Sequence, residues 1–473
     1  MFGFQPDVSA GPITRQLCAH LRSMIEGGEL PAGTRLPPTR TLARELRVAR
    51  NVAIDVYEQL TAEGYLESRI GSGTYIAEGI QVRPRKNEPS SPIQPAAMPP
   101  AAKERGDIID FNGGIPDLQL FPRKLWAKYL REAADYAPDD LLGYGDPVGE
   151  LELRKALVRY LFRIKGIRCH PGQVIVVSGS SEGFLLIASA LADRFQTAFI
   201  EDPTVDFVPD VFRRFGYAIR PVEVDGHGMD IGRIDPEGEG LIVLTPSHQY
   251  PTGSILSIQR RQMAVRLAEA NGFYILEDDY DSEFRHKGVP VPPLQALSPN
   301  RVIYAGTFSK TLSPGLRLGF LVVPPQLIGE AVRAKTELNL HTSSIPQAAL
   351  ARFIENGHFD RHVHRMKAVY MKRRMKLEAE LKRHFGSEAE LRGDEAGMHA
   401  QVAFPEETHS RIHWADAERF GVRLSSLEDY AIVKGRNRHK VVLGYGRLSE
   451  EQIAEGVARL HRFVTDAIRV IRE

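Results

Sequence analysis

A small helical module ending in a β-hairpin, followed by a much larger α/β body, is the architecture this 473-residue sequence predicts. Three observations carry it. Apolar residues in the first eighty positions recur at helical spacing, then give way to two short strand-like runs around glycines. Residues 81–106 are rich in Pro, Ala and Ser and lack periodicity, which marks a boundary. From Asp107 onward short apolar strands alternate with helical stretches, the pattern of a mostly parallel sheet with helices on both faces. A chain this long exceeds what one core supports. Its 42% apolar and 26% charged residues are those of a globular protein, and a net charge of +1 says nothing about nucleic acid.

In the first module, Ile13, Leu17, Leu21, Met24 and Ile25 share one helical face, and Gly27-Gly28 stops the helix. After Leu36-Pro-Pro, Thr39 is placed to cap a short helix with Leu42, Ala43 and Leu46 inward. A turn through Arg47-Val48 leads to a third helix burying Val52, Val56, Tyr57 and Leu60. The runs 66–70 and 74–76, joined by Gly71-Ser-Gly73, read as a hairpin with a glycine tip. Three helices and a hairpin make a winged helix-turn-helix. Arg50 and Asn51 open the third helix, where a recognition helix aims its first turn at base edges. Arginine and asparagine pair bidentately with guanine and adenine. Gly71 and Gly73 let the wing backbone approach the minor groove.

The stretches Leu36-Pro-Pro-Thr-Arg40-Thr-Leu-Ala, Val48-Ala-Arg50-Asn51, Glu63-Gly64-Tyr-Leu66 and Gly71-Ser-Gly73-Thr-Tyr resemble the GntR-type DNA-binding domain. The resemblance implies that Arg40, Arg50 and Asn51 contact double-stranded operator DNA. Two features depart from it. Residues 1–80 hold eight Arg and no Lys against nine Asp or Glu, and the linker adds five basic and two acidic residues. Only a local arginine patch is therefore left to attract phosphates. Ala49 stands where the family has a capping serine, a loss of about 1 kcal/mol. A helical protein-docking module with the same core is the alternative reading.

The proline content makes 81–106 a semi-extended tether. Beyond it, five apolar runs end in polar motifs. Residues 174–177 lead into Ser178-Gly179-Ser180-Ser181, and 198–201 into Asp202-Pro203. Residues 241–244 lead into Thr245-Pro-Ser-His-Gln-Tyr250-Pro-Thr-Gly253, 273–277 into Asp278-Asp-Tyr280, and 302–305 into Gly306-Thr307-Phe-Ser-Lys310. Ligands of open α/β sheets bind beyond the carboxyl ends of strands, so these motifs define one crevice.

The residue types fit one ligand. Ser178-Gly179-Ser180-Ser181, at a strand-to-helix turn, offers N–H groups and hydroxyls to an anion. The Lys310 amine can form a Schiff base with an aldehyde, and Arg317, with Thr307 nearby, can grip a phosphate in fork geometry. A carboxylate such as Asp278 at the end of a buried strand is costly unless paired. A protonated pyridine nitrogen is such a partner, and Tyr280 can reach a ring hydroxyl. Pyridoxal 5′-phosphate (PLP) carries all of these groups.

With Asn112-Gly-Gly-Ile-Pro116 and Tyr144-Gly-Asp-Pro-Val-Gly149, these residues resemble the fold-type I PLP enzymes of aminotransferase class I and II over roughly 107–473. A GntR-type domain joined to this fold resembles the MocR subfamily of bacterial regulators. The resemblance implies a large sheet domain with a smaller C-terminal α/β subdomain over about 356–473, and PLP as cofactor. It further implies an amino compound or PLP itself as effector, and a head-to-tail homodimer in which Tyr144 reaches the partner's phosphate.

The substrate side departs from that family. Tyr250 replaces the asparagine before Pro-Thr-Gly, and Val205 falls where an aromatic stacks on the ring, leaving Phe207 to substitute. Glu182 replaces a glutamine after the phosphate turn, and Val442 replaces the arginine that binds the substrate carboxylate. Arg447 and Arg423 remain as carboxylate candidates. Intact anchors with an altered substrate side suit a sensor. The alternatives are an active aminotransferase carrying an appended DNA-binding domain, and a DNA-binding scaffold that no longer holds PLP. No metal site is expected: His358 and His362 have metal-like spacing, but nothing completes a site and a solvated basic helix accounts for them. Cys18 and Cys169 show no framework spacing, and no membrane or export segment is read, so a cytoplasmic protein is expected.

Overall fold

The computed structural model describes residues 3–7, 11–69, 71–80, 108–235, 239–286, 291–393 and 395–473, and the tether expected over 81–106 lies outside them. The chain forms two compact units, Met1–Lys103 and Glu104–Glu473.

In the first unit the helical periodicity becomes three helices, Ile13–Glu26, Thr39–Leu46 and Arg50–Ala62. Leu17, Leu21, Ile25, Leu42, Leu46, Val56 and Leu60 share one core, which Leu66 and Ile76 of the hairpin close. The hairpin strands Leu66–Arg69 and Gly73–Ile76 pair antiparallel, with Arg69 opposite Gly73. The Tyr57 hydroxyl donates to the Pro37 carbonyl at 2.8 Å, tying the third helix to the segment before the second. Thr39 is not the cap: Pro38 takes that position and Thr39 is the first helical residue. Proline fits there because the N–H it lacks has no partner at a helix start. Arg47, left-handed at φ 53°, ends this helix and makes the turn.

In the second unit eight strands form one sheet, in the order Val174–Val177, Gly319–Val322, Val302–Thr307, Tyr274–Asp279, Leu241–Leu244, Thr197–Asp202, Ala218–Asp225, Gly228–Met229. Gly319–Val322 runs antiparallel to both neighbours, as does Gly228–Met229 to Ala218–Asp225, and the remaining neighbours pair in parallel. Both faces are covered, which is why these strands read as unbroken apolar runs. Ile175 and Val177 pack with Phe184, Phe212 and Leu276 on one face, and Val174 and Val176 with Leu157, Tyr304 and Phe353 on the other. The five strands that end in polar motifs share one direction and finish on one edge.

A second, antiparallel sheet of Glu390–Arg392, His399–Ala403, Lys440–Gly444 and Ser425–Ser426 packs with the helices His358–Phe385 and Glu450–Arg472. The entering strand Ile109–Asp110 pairs with Val422–Arg423, and Phe111 is buried in the same core. This body therefore takes in residues 109–111 as well as the C-terminal region. His362 corrects the expectation of a solvated helix face. It lies 8% exposed in line with the buried Phe359, Met366 and Tyr370, and burial pushes its ring down to about 4.

Candidate cofactor site and DNA-binding surface

Lys310 lies three residues past the strand Val302–Thr307, and its Nζ donates to the Gly114 carbonyl at 2.6 Å. Burial pushes the amine below its usual range, against the pull of Asp281 and Asp278. That bias favours the neutral, nucleophilic form. Asp278, in register with Ala305 of the neighbouring strand, is 7% exposed, and its Oδ1 has no hydrogen-bond partner. Burial, and secondarily Asp279, pushes its carboxyl up to about 7, while Lys310 draws it back. A buried oxygen without a partner is costly until something completes it. A protonated pyridine nitrogen is a donor that fits this oxygen.

Two positions of unusual backbone geometry shape a turn suited to an anion. Gly179, at φ 91°, leads into the helix Ser180–Leu191, whose start has no side-chain cap. Arg317, a non-glycine residue at φ 48°, lays its guanidinium against Gly179. A Cβ at 179 would lie 2.9 Å from both terminal guanidinium nitrogens, so any side chain there would displace them. Strain of this kind persists where the surroundings enforce it. Open N–H groups at Ser180 and Ser181 beside a guanidinium fork suit a phosphate. Thr307, buried at the strand end, accepts the Ser309 N–H on its Oγ1 at 3.2 Å.

Rings wall the rest of the crevice. The Tyr280 hydroxyl lies 3.0 Å from His248 Nδ1, which also meets Asp281 Oδ1 at 3.0 Å. The Tyr250 hydroxyl donates to that of Tyr430 at 3.1 Å. His399, from the second sheet, sits with its ring centroid 5.0 Å from Tyr250 and 4.7 Å from His248. Burial, followed by the charges of His248 and Lys310, holds His399 well below the usual histidine range, and its Nε2 has no partner. It is a neutral ring with an acceptor to offer. Sequence reasoning missed His399, which nothing nearby in the chain marks, and Asp281, which directly follows the Asp278-Asp-Tyr280 motif. His248, Asp281 and His399 offer donor atoms within 4.8 Å of one another, but His248 Nδ1 already serves Asp281 and Tyr280.

Other expected residues fall elsewhere. Phe207 opens the helix Phe207–Arg214 and meets Phe184 edge-on at 5.8 Å, which engages its ring in packing against the helix Ser180–Leu191. Tyr144 is 90% exposed beside His341. Arg447 and Arg423 both pair with Asp110, and Arg423 also with Glu418 at 2.5 Å. Both carboxylate candidates therefore already hold a carboxylate of this chain.

On the first unit Arg40, Arg50, Asn51, Gly71 and Gly73 are all exposed, and Arg50 and Asn51 are the first two residues of their helix. Gly71 and Gly73 have φ of 74° and 121°, values that favour glycine. Arg35 is a basic group the sequence reading overlooked. Its Nε lies 3.1 Å from where a Cβ of Gly73 would be, and its backbone bridges to Tyr75 of the wing.

Fold and crevice define a class: a fold-type I PLP-binding domain joined to a winged helix-turn-helix. Residues 107–459 match the family Aminotransferase class I and II, and residues 13–76 match the bacterial regulatory proteins of the gntR family. The chain is 36% identical to the probable rhizopine catabolism regulatory protein MocR of Rhizobium meliloti, over 95% of this chain and 93% of that one. It is 30% identical to the HTH-type pyridoxine biosynthesis transcriptional regulator PdxR of Corynebacterium glutamicum, over 93% of each. LysN, the alpha-aminoadipate aminotransferase of Thermus thermophilus, solved with N-(5′-phosphopyridoxyl)-L-leucine, matches with a TM-score of 0.69 at 26% identity, over 77% of this chain and 94% of that one. The chain belongs to the MocR subfamily of GntR-type regulators, and its cofactor is PLP.

Proposed function

We propose that this PLP-dependent transcriptional regulator senses an amino compound, or PLP itself, at the Lys310 crevice and answers by changing its hold on operator DNA. The contrast between the cofactor anchors and the carboxylate candidates supports this reading. The Lys310 amine and the partnerless Asp278 oxygen stand in the crevice, whereas Arg423 and Arg447, the candidates for a ligand carboxylate, are already paired with Asp110. When bound, PLP supplies an electrophilic carbonyl and an electron sink for a primary amine. Lys310 provides the amine that holds it, in the neutral form that burial favours. Asp278 keeps a proton on the ring nitrogen. Arg317 and the N–H groups around Gly179, Ser180 and Ser181 bind the phosphate, with Thr307 beside them. The Tyr280 hydroxyl, backed by His248, orients the ring oxygen. Tyr250, Tyr430 and His399 wall the ligand side, where His399 Nε2 accepts a donor on the effector.

Arg40, Arg50, Asn51 and the wing backbone at Gly71 and Gly73 are the operator contacts in this reading. Arg50→Ala is expected to weaken operator binding by about 1–3 kcal/mol without moving the melting temperature. Fluorescence anisotropy on the DNA upstream of the protein's own gene measures this, and an unchanged affinity removes Arg50 from the interface.

The protein acts as a head-to-tail homodimer in the cytoplasm, with Tyr144, on the surface of its own subunit, completing the partner's phosphate site. No described helix is long and apolar enough to cross a membrane. Mixed dimers of Tyr144→Ala and Lys310→Ala subunits are expected to regain one full-affinity PLP site per dimer; no regain contradicts the arrangement. An effector shifts DNA binding only as far as it prefers one arrangement of the two DNA-binding modules.

The intact anchors favour one second reading, a working aminotransferase. Given an amino donor and a keto acid, a sensor completes at most a half-reaction, whereas sustained turnover supports the enzyme.

A further inference from the structure

Glu182, the position where glutamine was expected, does two things in the phosphate turn. Its Oε2 accepts the Ser178 N–H and so braces the turn, while its Oε1 takes the ammonium of Lys335. Lys335 comes from the helix Ile328–Asn339, and its side chain is 0% exposed against 12% for Glu182. Its Nζ also donates to Thr342 Oγ1 at 2.9 Å, and that hydroxyl donates at 3.2 Å to the Val176 carbonyl, on the strand that feeds the turn. The pair is thus fixed from behind, on the protein side of the turn.

A carboxylate in the first turn of a helix suits the helix N-terminus. It also repels a phosphate dianion bound at the neighbouring N–H groups of Ser180 and Ser181. A glutamine would brace the backbone without that charge. Here the charge is present, and a buried ammonium lies in contact with it.

We infer that Glu182 and Lys335 are positioning residues for the phosphate of the cofactor: the carboxylate holds the turn's backbone, and the buried ammonium cancels its charge so that the turn can accept a dianion. The inference rests on the PLP reading of the crevice. Removing the ammonium alone leaves a negative charge facing the phosphate, whereas removing both charges leaves the brace intact.

The test compares PLP with pyridoxal, which lacks the phosphate, by absorbance titration of the full chain, with melting curves of the ligand-free proteins. Lys335→Met is expected to lower the ratio of PLP to pyridoxal affinity about tenfold or more. Glu182→Gln, which leaves the ammonium behind the turn, is expected to raise the ratio about threefold or more. The double variant is expected to return to within about threefold of wild type. A packing role for Lys335 weakens both ligands alike and is not rescued by Glu182→Gln, and that result overturns the inference. Should Lys335→Met fail to fold, Glu182→Gln decides alone: a raised ratio supports the inference, and an unchanged or lowered one overturns it. Wild-type protein that binds neither compound overturns the cofactor reading and this inference together. Wild type that binds PLP, with ratios that do not move among the variants, overturns the inference alone.

Discussion

Lys310→Ala is expected to abolish the absorbance band that PLP should give the wild-type protein, and with it most of the stability that PLP confers. The reason is geometric as well as chemical. The Nζ is held at the Gly114 carbonyl, and burial biases it toward the neutral amine that attacks an aldehyde. Alanine leaves the phosphate cradle of Gly179 and Arg317 in place but provides nothing for the aldehyde. A ligand at 1,000 times its Kd stabilises the folded state by about 4 kcal/mol, so the PLP-induced rise in melting temperature should largely vanish. The ligand-free melting temperature should stay near that of wild type, since the lost amine makes one hydrogen bond. A variant that still gains colour and stability from PLP as wild type does would remove Lys310 from its role.

Asp278→Asn is expected to stabilise the ligand-free protein at pH 8 relative to pH 4.5 while it cripples PLP binding. The Asp278 carboxyl rises from 3.8 to about 7 on folding, mainly through burial. The folded state therefore holds the proton more tightly than the unfolded chain. The group's contribution is most favourable below the unfolded value and is lost as pH climbs through about 7. An amide does not titrate, so its advantage over wild type should grow between pH 4.5 and 8, by on the order of 2–4 kcal/mol. Urea melts at the two pH values measure the difference. With PLP present the order is expected to reverse, because an amide carries no negative charge to hold the proton on the ring nitrogen, and loss of a buried charge partner costs about 3 kcal/mol. Parallel pH dependence in the two proteins would mean that Asp278 ionises freely in the fold and is not the destabilised partner described here. The site lowers stability where it needs an unsatisfied group, as functional sites commonly do.

What the sequence made legible was whatever lies close to its own strand. Lys310, Asp278 and the Gly179 turn each lie at the end of a buried apolar run, Arg317 just precedes the antiparallel strand Gly319–Val322, and strand direction brings these ends together. The winged module was legible for a similar reason, since its helices are defined by their own periodicity. Partnerships across the chain were not. The ion pair of Lys335 with Glu182 spans 153 residues, and the contact of Arg447 with Asp110 spans 337. No local pattern announces that an arginine near the C-terminus is already taken by a carboxylate near the domain entrance. His399 escaped notice because it opens an apolar strand of the second sheet, and only tertiary folding brings it against Tyr250 and His248. His362 misled in the opposite sense: its spacing fits a solvated helix, but its face is turned into the core.

On this reading, occupancy of the Lys310 crevice governs DNA binding. Its most direct measurement is operator affinity by anisotropy, titrated with PLP and then with primary amines, on wild type and Lys310→Ala side by side while the cofactor spectrum is followed in the same cuvette. The account predicts that wild-type affinity for the operator shifts in step with the spectrum and that the variant's affinity stays flat. Operator binding that is equal in the two proteins at every ligand concentration would contradict it.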